Sequence, residues 1–171
     1  MFEVKPTKAY KLTNIDLFEK GGKYPIVTNS SLNNGVSGYT NLKPTEKANM
    51  ITYSDTTTSE GIFYQPRDFV GYSHVQGLYP LQDINLWNET SLLYFVVAFR
   101  KSAFGRFSYA DKFNRKIASQ MKVILPTQNS QIAFEFIQNF IKAIEKETIK
   151  EVVLFSQREL KAYEEAIKKE S

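Results

Sequence analysis

The residues best placed to do chemistry lie between Arg100 and Lys122, in RKSAFGRFSYADKFNRKIASQMK. Seven of them are Lys or Arg (Arg100, Lys101, Arg106, Lys112, Arg115, Lys116, Lys122) against one acid, Asp111, a local charge of +6. The whole chain carries +4, so the rest sums to −2, and the basic character sits in about an eighth of the length. Phe104, Phe107, Tyr109, Phe113 and Asn114 are interleaved with the charges. Cations neutralise phosphates, and forked or flat side chains reach base edges, so this mixture suits a nucleic-acid surface. A solvated basic loop has the same composition, and the stretch alone does not separate the two.

Little else in the chain points to turnover. His74 is the single histidine and there is no cysteine, so neither a zinc site nor a thiolate nucleophile can be assembled. No Gly-x-Ser-x-Gly elbow accompanies the histidine, and neither common glycine-rich phosphate cradle occurs. In GYSHVQG the lone histidine reads first as a hydrogen-bonded structural residue. The acid pairs Asp16/Glu19 and Glu145/Glu147 lie on polar faces. The chemistry is that of binding, with no catalytic centre, metal or cofactor expected in this chain.

The chain has 171 residues, 42% apolar and 14% aromatic, enough for one folded domain with a core and an appended element. Its longest apolar run, Leu92–Phe99, is eight residues. A spanning helix needs about 20. No apolar run follows Met1 as a leader would require. The expectation is a soluble, cytoplasmic protein.

Stepping along the sequence, Phe2 and Val4 alternate as a short edge strand would, before Pro6. Tyr24–Thr28 reads as a strand, followed by a loop of turn formers: Asn29, Ser30, Ser31, Asn33, Asn34 and Gly35. Such amides and hydroxyls hold their own backbone, or face phosphates and base edges. Met50–Ser54, Ile62–Tyr64 and Val75–Tyr79 are further strands, with Asp55–Gly61 a polar connector. Ser91–Phe99 is apolar on every side, a buried helix capped by Asn88 or Thr90, or a buried strand. Met121–Leu125 reads as a strand before Pro126. From Ser130 the apolar residues Ile132, Phe136, Ile137, Phe140, Ile141 and Ile144 recur at helical spacing. Ile149, Val153, Leu160, Tyr163 and Ile167 continue it in two seven-residue rows, broken by Ser156, which predict a coiled-coil-like dimerisation surface. The fold expected is α+β: a twisted β-sheet domain over 1–128, then a long helical arm over 129–171.

Five segments in this order carry a family resemblance: YPIVTNSSLNNGVSGYT, NMITYSDT, IFYQPRDFVGYSHVQGLYP, GRFSYADKFNRKIASQMKVILP and FEFIQNFIKAIEK. Together, over about residues 20–146, they resemble a target recognition domain of restriction–modification specificity (S) subunits, of the Type I and BcgI-like group. The resemblance implies a non-catalytic, sequence-specific subunit that binds double-stranded DNA beside a methyltransferase subunit and, in some members, a restriction subunit. S-adenosylmethionine would then belong to the partner. Full subunits of that group carry two recognition domains joined by helices. This chain shows one of each, which implies either a half-subunit pairing with a second copy or one half of something longer, and the apolar stripe at Val153, Leu160 and Ile167 favours pairing. Segments shared across members that read different sequences should build scaffold or hold phosphates. On that reasoning Asn29, Ser30, Asn33 and Asn34 form the loop or contact phosphates, and Tyr39, His74 and Gln76 lie in family segments. Arg106, Tyr109, Lys112, Asn114 and Arg115 are the foremost DNA contacts, since Arg suits guanine and Asn suits adenine. A different class stays open: a protein–protein adaptor that uses the arm, its basic loop incidental.

Overall fold

The computed structural model describes residues 1–19, 21–56, 58–107 and 111–170. Chain order is β1 (Phe2–Pro6), α1 (Asn14–Leu17), β2 (Tyr24–Val27), β3 (Val36–Thr40), β4 (Met50–Ser54), β5 (Ile62–Gln65), β6 (Val75–Pro80), α2 (Glu89–Ala103), α3 (Arg115–Gln120), β7 (Thr127–Gln128), β8 (Gln131–Ile132) and α4 (Phe134–Glu170). The architecture is α+β, as expected.

An antiparallel four-stranded sheet, ordered β1-β6-β4-β5, forms the middle layer. All five residues of β4 are buried because both faces of the sheet are covered. Ile51 and Tyr53 face the helices, in one core with Leu78, Trp87, Leu92, Phe95, Phe99 and Phe113. Met50 joins Val27, Phe69 and Val75 on the other side, which the β2–β3 hairpin covers. One backbone feature at each end fixes the hairpin. Asn33 and Asn34 take left-handed backbone (φ 49° and 55°), which Asn tolerates better than most side chains. Gly22 lies against β3: a Cβ there would meet Thr40 backbone nitrogen at 2.4 Å and Cα at 2.6 Å. Backbone cannot yield as a flexible side chain can, so Gly22→Ala is expected to cost about 1–3 kcal/mol. A urea midpoint unchanged from wild type would show that the hairpin shifts freely.

Helix α2 begins where Asn88 Oδ1 accepts the Ser91 N–H at 3.2 Å. Its buried face is Leu92, Phe95, Val96, Phe99 and Ala103, a spacing of three and four. The segment is apolar on every side but not buried on every side, because Val97 is exposed. The helix runs four residues past Phe99, into the basic stretch. Arg100 there is a clamp: its Nε donates to Ile62 O at 2.8 Å and a terminal nitrogen donates to Glu60 O at 3.0 Å.

Met121–Leu125 is a correction to the sequence reading. Met121, Val123 and Leu125 do pack on the core in alternation, but the segment is not a strand. It lies on the helical side of the sheet, and among the described residues no strand pairs with it. The β7–β8 hairpin then leads into α4. Phe134 and Ile137 are buried, Tyr94 and Phe140 rings meet at 6.0 Å, and Gln138 Nε2 donates to Ser91 Oγ at 3.4 Å. From residue 142 to 163 every side chain of α4 is exposed. No helix among the described residues is long and apolar enough to cross a membrane.

Candidate nucleic-acid interface

The basic stretch is not one ribbon. It is the end of α2, a turn with Gly105 at φ 69°, and α3. Two of its aromatics pack inward while Phe104 is exposed: Phe113 is wholly buried, stacked on Phe107 at 4.5 Å and against Tyr53 at 4.8 Å and Phe99 at 5.6 Å. That anchor delivers the next residue, Asn114, to the start of α3, where its Oδ1 accepts the Ile117 N–H at 3.1 Å. Capping satisfies a helix N–H that would otherwise lack a partner. With α3 placed this way, Asn114, Arg115, Lys116 and Ser119 face the ends of β4 and β6. They enclose a concavity of about 510 Å³ together with Val4, Asp55 and Gln76.

The floor of this concavity is an ordered polar cluster. Register sets it: Tyr53 pairs with Gln76 and Ser54 with Val75, so Asp55 emerges beside His74. The Asp55 N–H donates to His74 O at 3.1 Å. Its carboxylate accepts from His74 Nδ1 at 3.0 Å and from Gln76 Nε2 at 2.8 Å. A carboxylate only accepts, so the imidazole proton sits on Nδ1. His74 itself has left-handed backbone, φ 63°. Beneath lie two buried polar atoms with no hydrogen-bond partner among the described residues, Tyr53 Oη and Gln76 Oε1. Burial pushes the Tyr53 phenol well above its ordinary range; the Asp55 charge adds to this and Arg115 opposes it.

Of the residues marked in the sequence, the structure brings Gln76, Asn114 and Arg115 together on this surface, with His74 attached through Asp55. The amide loop is nearby and largely self-engaged. Asn29 Nδ2 donates to Thr56 Oγ1 at 3.2 Å, next to Asp55. Ser30 Oγ accepts the Leu32 N–H at 3.1 Å. Asn33 Nδ2 donates to Val36 O at 3.1 Å, and Asn34 Nδ2 to Tyr64 O at 2.9 Å. Gln65 returns a bond to Asn34 O at 3.1 Å. These four therefore hold the loop. Tyr39 is exposed on β3 and does not line the concavity. Arg106 lies outside it too: its guanidinium donates to Ser102 O at 3.1 Å and sits over Phe107. Lys112 is exposed just before the Phe113 anchor. Tyr109 lies outside the described residues.

Sequence reasoning missed Asp55, Lys116 and Ser119 as lining residues. Lys116 stood in the basic stretch and Asp55 in what read as a connector. Only the strand register, a long-range property, joins them. Along α4, Ile149, Val153, Leu160 and Tyr163 are exposed, with Ile167 continuing the row. Val152 and Phe155 are exposed beside them, so the apolar surface is broader than two rows. Among the described residues no group of His, Asp and Glu could hold a metal ion.

A family model for the Type I restriction modification DNA specificity domain matches residues 1–154. No curated protein matches the sequence. Among solved structures the chain is similar to the S subunit of a Type I restriction-modification system from M. genitalium, at 16% identity with a TM-score of 0.57. The match covers 90% of this chain and 41% of that one. At that identity the likeness is one of fold, and this chain spans about two-fifths of that subunit's length.

Proposed function

The chain belongs to the family of Type I restriction modification DNA specificity domains, and from that premise we propose that it binds duplex DNA as a non-catalytic specificity component of a methyltransferase or restriction complex. The observation that carries this reading is the concavity at the start of α3, where Arg115, Lys116, Asn114 and Gln76 converge on one surface. The cations would neutralise phosphates, and the polar floor would meet base edges. A methyltransferase subunit holding S-adenosylmethionine is the expected partner, in the cytoplasm of the host, with a restriction subunit where the complex also cuts. The stripe on α4 supports pairing with a second copy, which would supply a second recognition domain and so the other half of a split site.

Salt titration tests this directly. Fluorescence anisotropy with labelled duplex should show log affinity falling linearly with log salt. Arg115→Ala should weaken binding by about tenfold, or flatten the salt slope by about one ion if Arg115 holds a phosphate. Arg106→Ala should do less, because that guanidinium is engaged with its own helix. Absence of any DNA binding by the full chain, alone and with the methyltransferase, would favour the adaptor reading, to which the exposed α4 stripe also lends itself.

A further inference from the structure

Resting on the DNA reading above, we propose that Asp55 is a base-reading residue of this surface, and that it takes the exocyclic amino group of cytosine or adenine in the major groove. The sequence around it, DTTTSEG, carries no such signal. The geometry does. The Asp55 side chain is 22% exposed and lines the concavity beside Arg115 and Lys116. It forms no ion pair with either cation within 4 Å; its partner is His74. Backbone and side-chain bonds to His74 and Gln76 hold it in one orientation. A carboxylate has about four acceptor sites, and these two side-chain bonds leave capacity toward the opening.

A fixed negative charge on a phosphate-binding surface repels the backbone it would face. It is favourable only opposite a donor. On duplex DNA the major-groove donors are cytosine N4 and adenine N6, and Asp is suited to cytosine N4. A second observation points the same way. Gln76 is 5% exposed, and its Oε1 is buried with no donor among the described residues. Its amide nitrogen is pinned by Asp55, so it cannot make the bidentate contact that Gln makes with adenine. The Asp55 carboxylate is thus the acceptor open to this space, and Arg115 stands beside it as donor. That pairing complements a guanine–cytosine edge, acceptors next to an amine. In this arrangement His74 and Gln76 are positioning residues.

The test uses the full chain. Selection from a randomised duplex pool first gives the preferred sequence. Each cytosine in it is then replaced by 2-pyrimidinone, or each adenine by purine, which deletes the amine and little else. One such deletion should weaken wild-type binding by about tenfold and have no further effect in Asp55→Ala. The arm that responds tells cytosine from adenine. Asp55→Asn keeps the side-chain shape and should show the same loss of coupling if Asp55→Ala folds poorly. A role confined to bracing the His74 turn would lower the melting temperature and leave every amine deletion as costly as in wild type; that result overturns the assignment. A wild-type chain that selects no sequence overturns it together with the DNA reading. Selection that survives without coupling overturns Asp55 alone.

Discussion

Leu160→Glu is expected to abolish self-association and to unravel the outer part of α4, with the globular part still folded. Helix α4 is 37 residues long, and its side chains buried or packed against the domain among the described residues lie in its first turns. Every side chain from 142 to 163 is exposed. A helix standing alone in water is marginal even with favourable sequence. Leu160 is 61% exposed, in line with Val153 and flanked by Tyr163. Packing that row against a second copy removes large apolar side chains from water, at about 1.5–3 kcal/mol each. A carboxylate in the same place removes that gain and adds a desolvation cost. The dissociation constant should rise by more than about 100-fold. Sedimentation would report the dimer and far-UV circular dichroism the lost helix. A dimer that survives the change would mean that copies meet elsewhere.

The second large effect is expected at Phe113. Its ring is wholly buried and joins Phe107, Tyr53 and Phe99. Truncating a buried Phe to Ala costs about 3–5 kcal/mol, against total domain stabilities of about 5–15 kcal/mol. Phe113 also fixes where Asn114 caps α3, and so where Arg115 and Lys116 stand. Phe113→Ala should therefore lower DNA affinity even at temperatures where the sheet remains folded. Chemical denaturation gives the first quantity and anisotropy the second. A loss of under about 1 kcal/mol with unchanged affinity would show that other contacts hold this segment.

Much of this was legible along the chain. The strands β4, β5 and β6 follow from β-branched and aromatic runs ended by polar or proline residues. The three-and-four spacing predicts α4, whereas for α2 the Asn88 cap points to a helix and the all-round apolar run leaves a buried strand open. The strand β3 was not legible, because VSGYT has a central glycine and sits inside a run of turn formers. Its glycine is there for space: a Cβ on Gly38 would meet Phe18 at 2.4 Å. Met121–Leu125 had the right alternation and the wrong conclusion, since alternation reports which side chains are buried and not whether a neighbouring backbone is in reach. The basic stretch overstated its footprint. Arg100 is bound to carbonyls, Phe107 and Phe113 are core, and the cations that line the concavity are those on α3. Asp55 was invisible because its importance comes from pairing across β4 and β6, which no local pattern encodes.

The uninterrupted arm also constrains how such a chain can change. There is no Gly or Pro after Pro126, so α4 has no built-in hinge, and its 37 residues span about 55 Å. One inserted residue would lengthen the rod by about 1.5 Å and swing whatever lies beyond by about 100°. Seven would nearly restore the azimuth while adding about 10 Å. Drift in arm length is thus screwed rather than sliding: distance and bearing change together, and tolerated indels should come in near-whole turns.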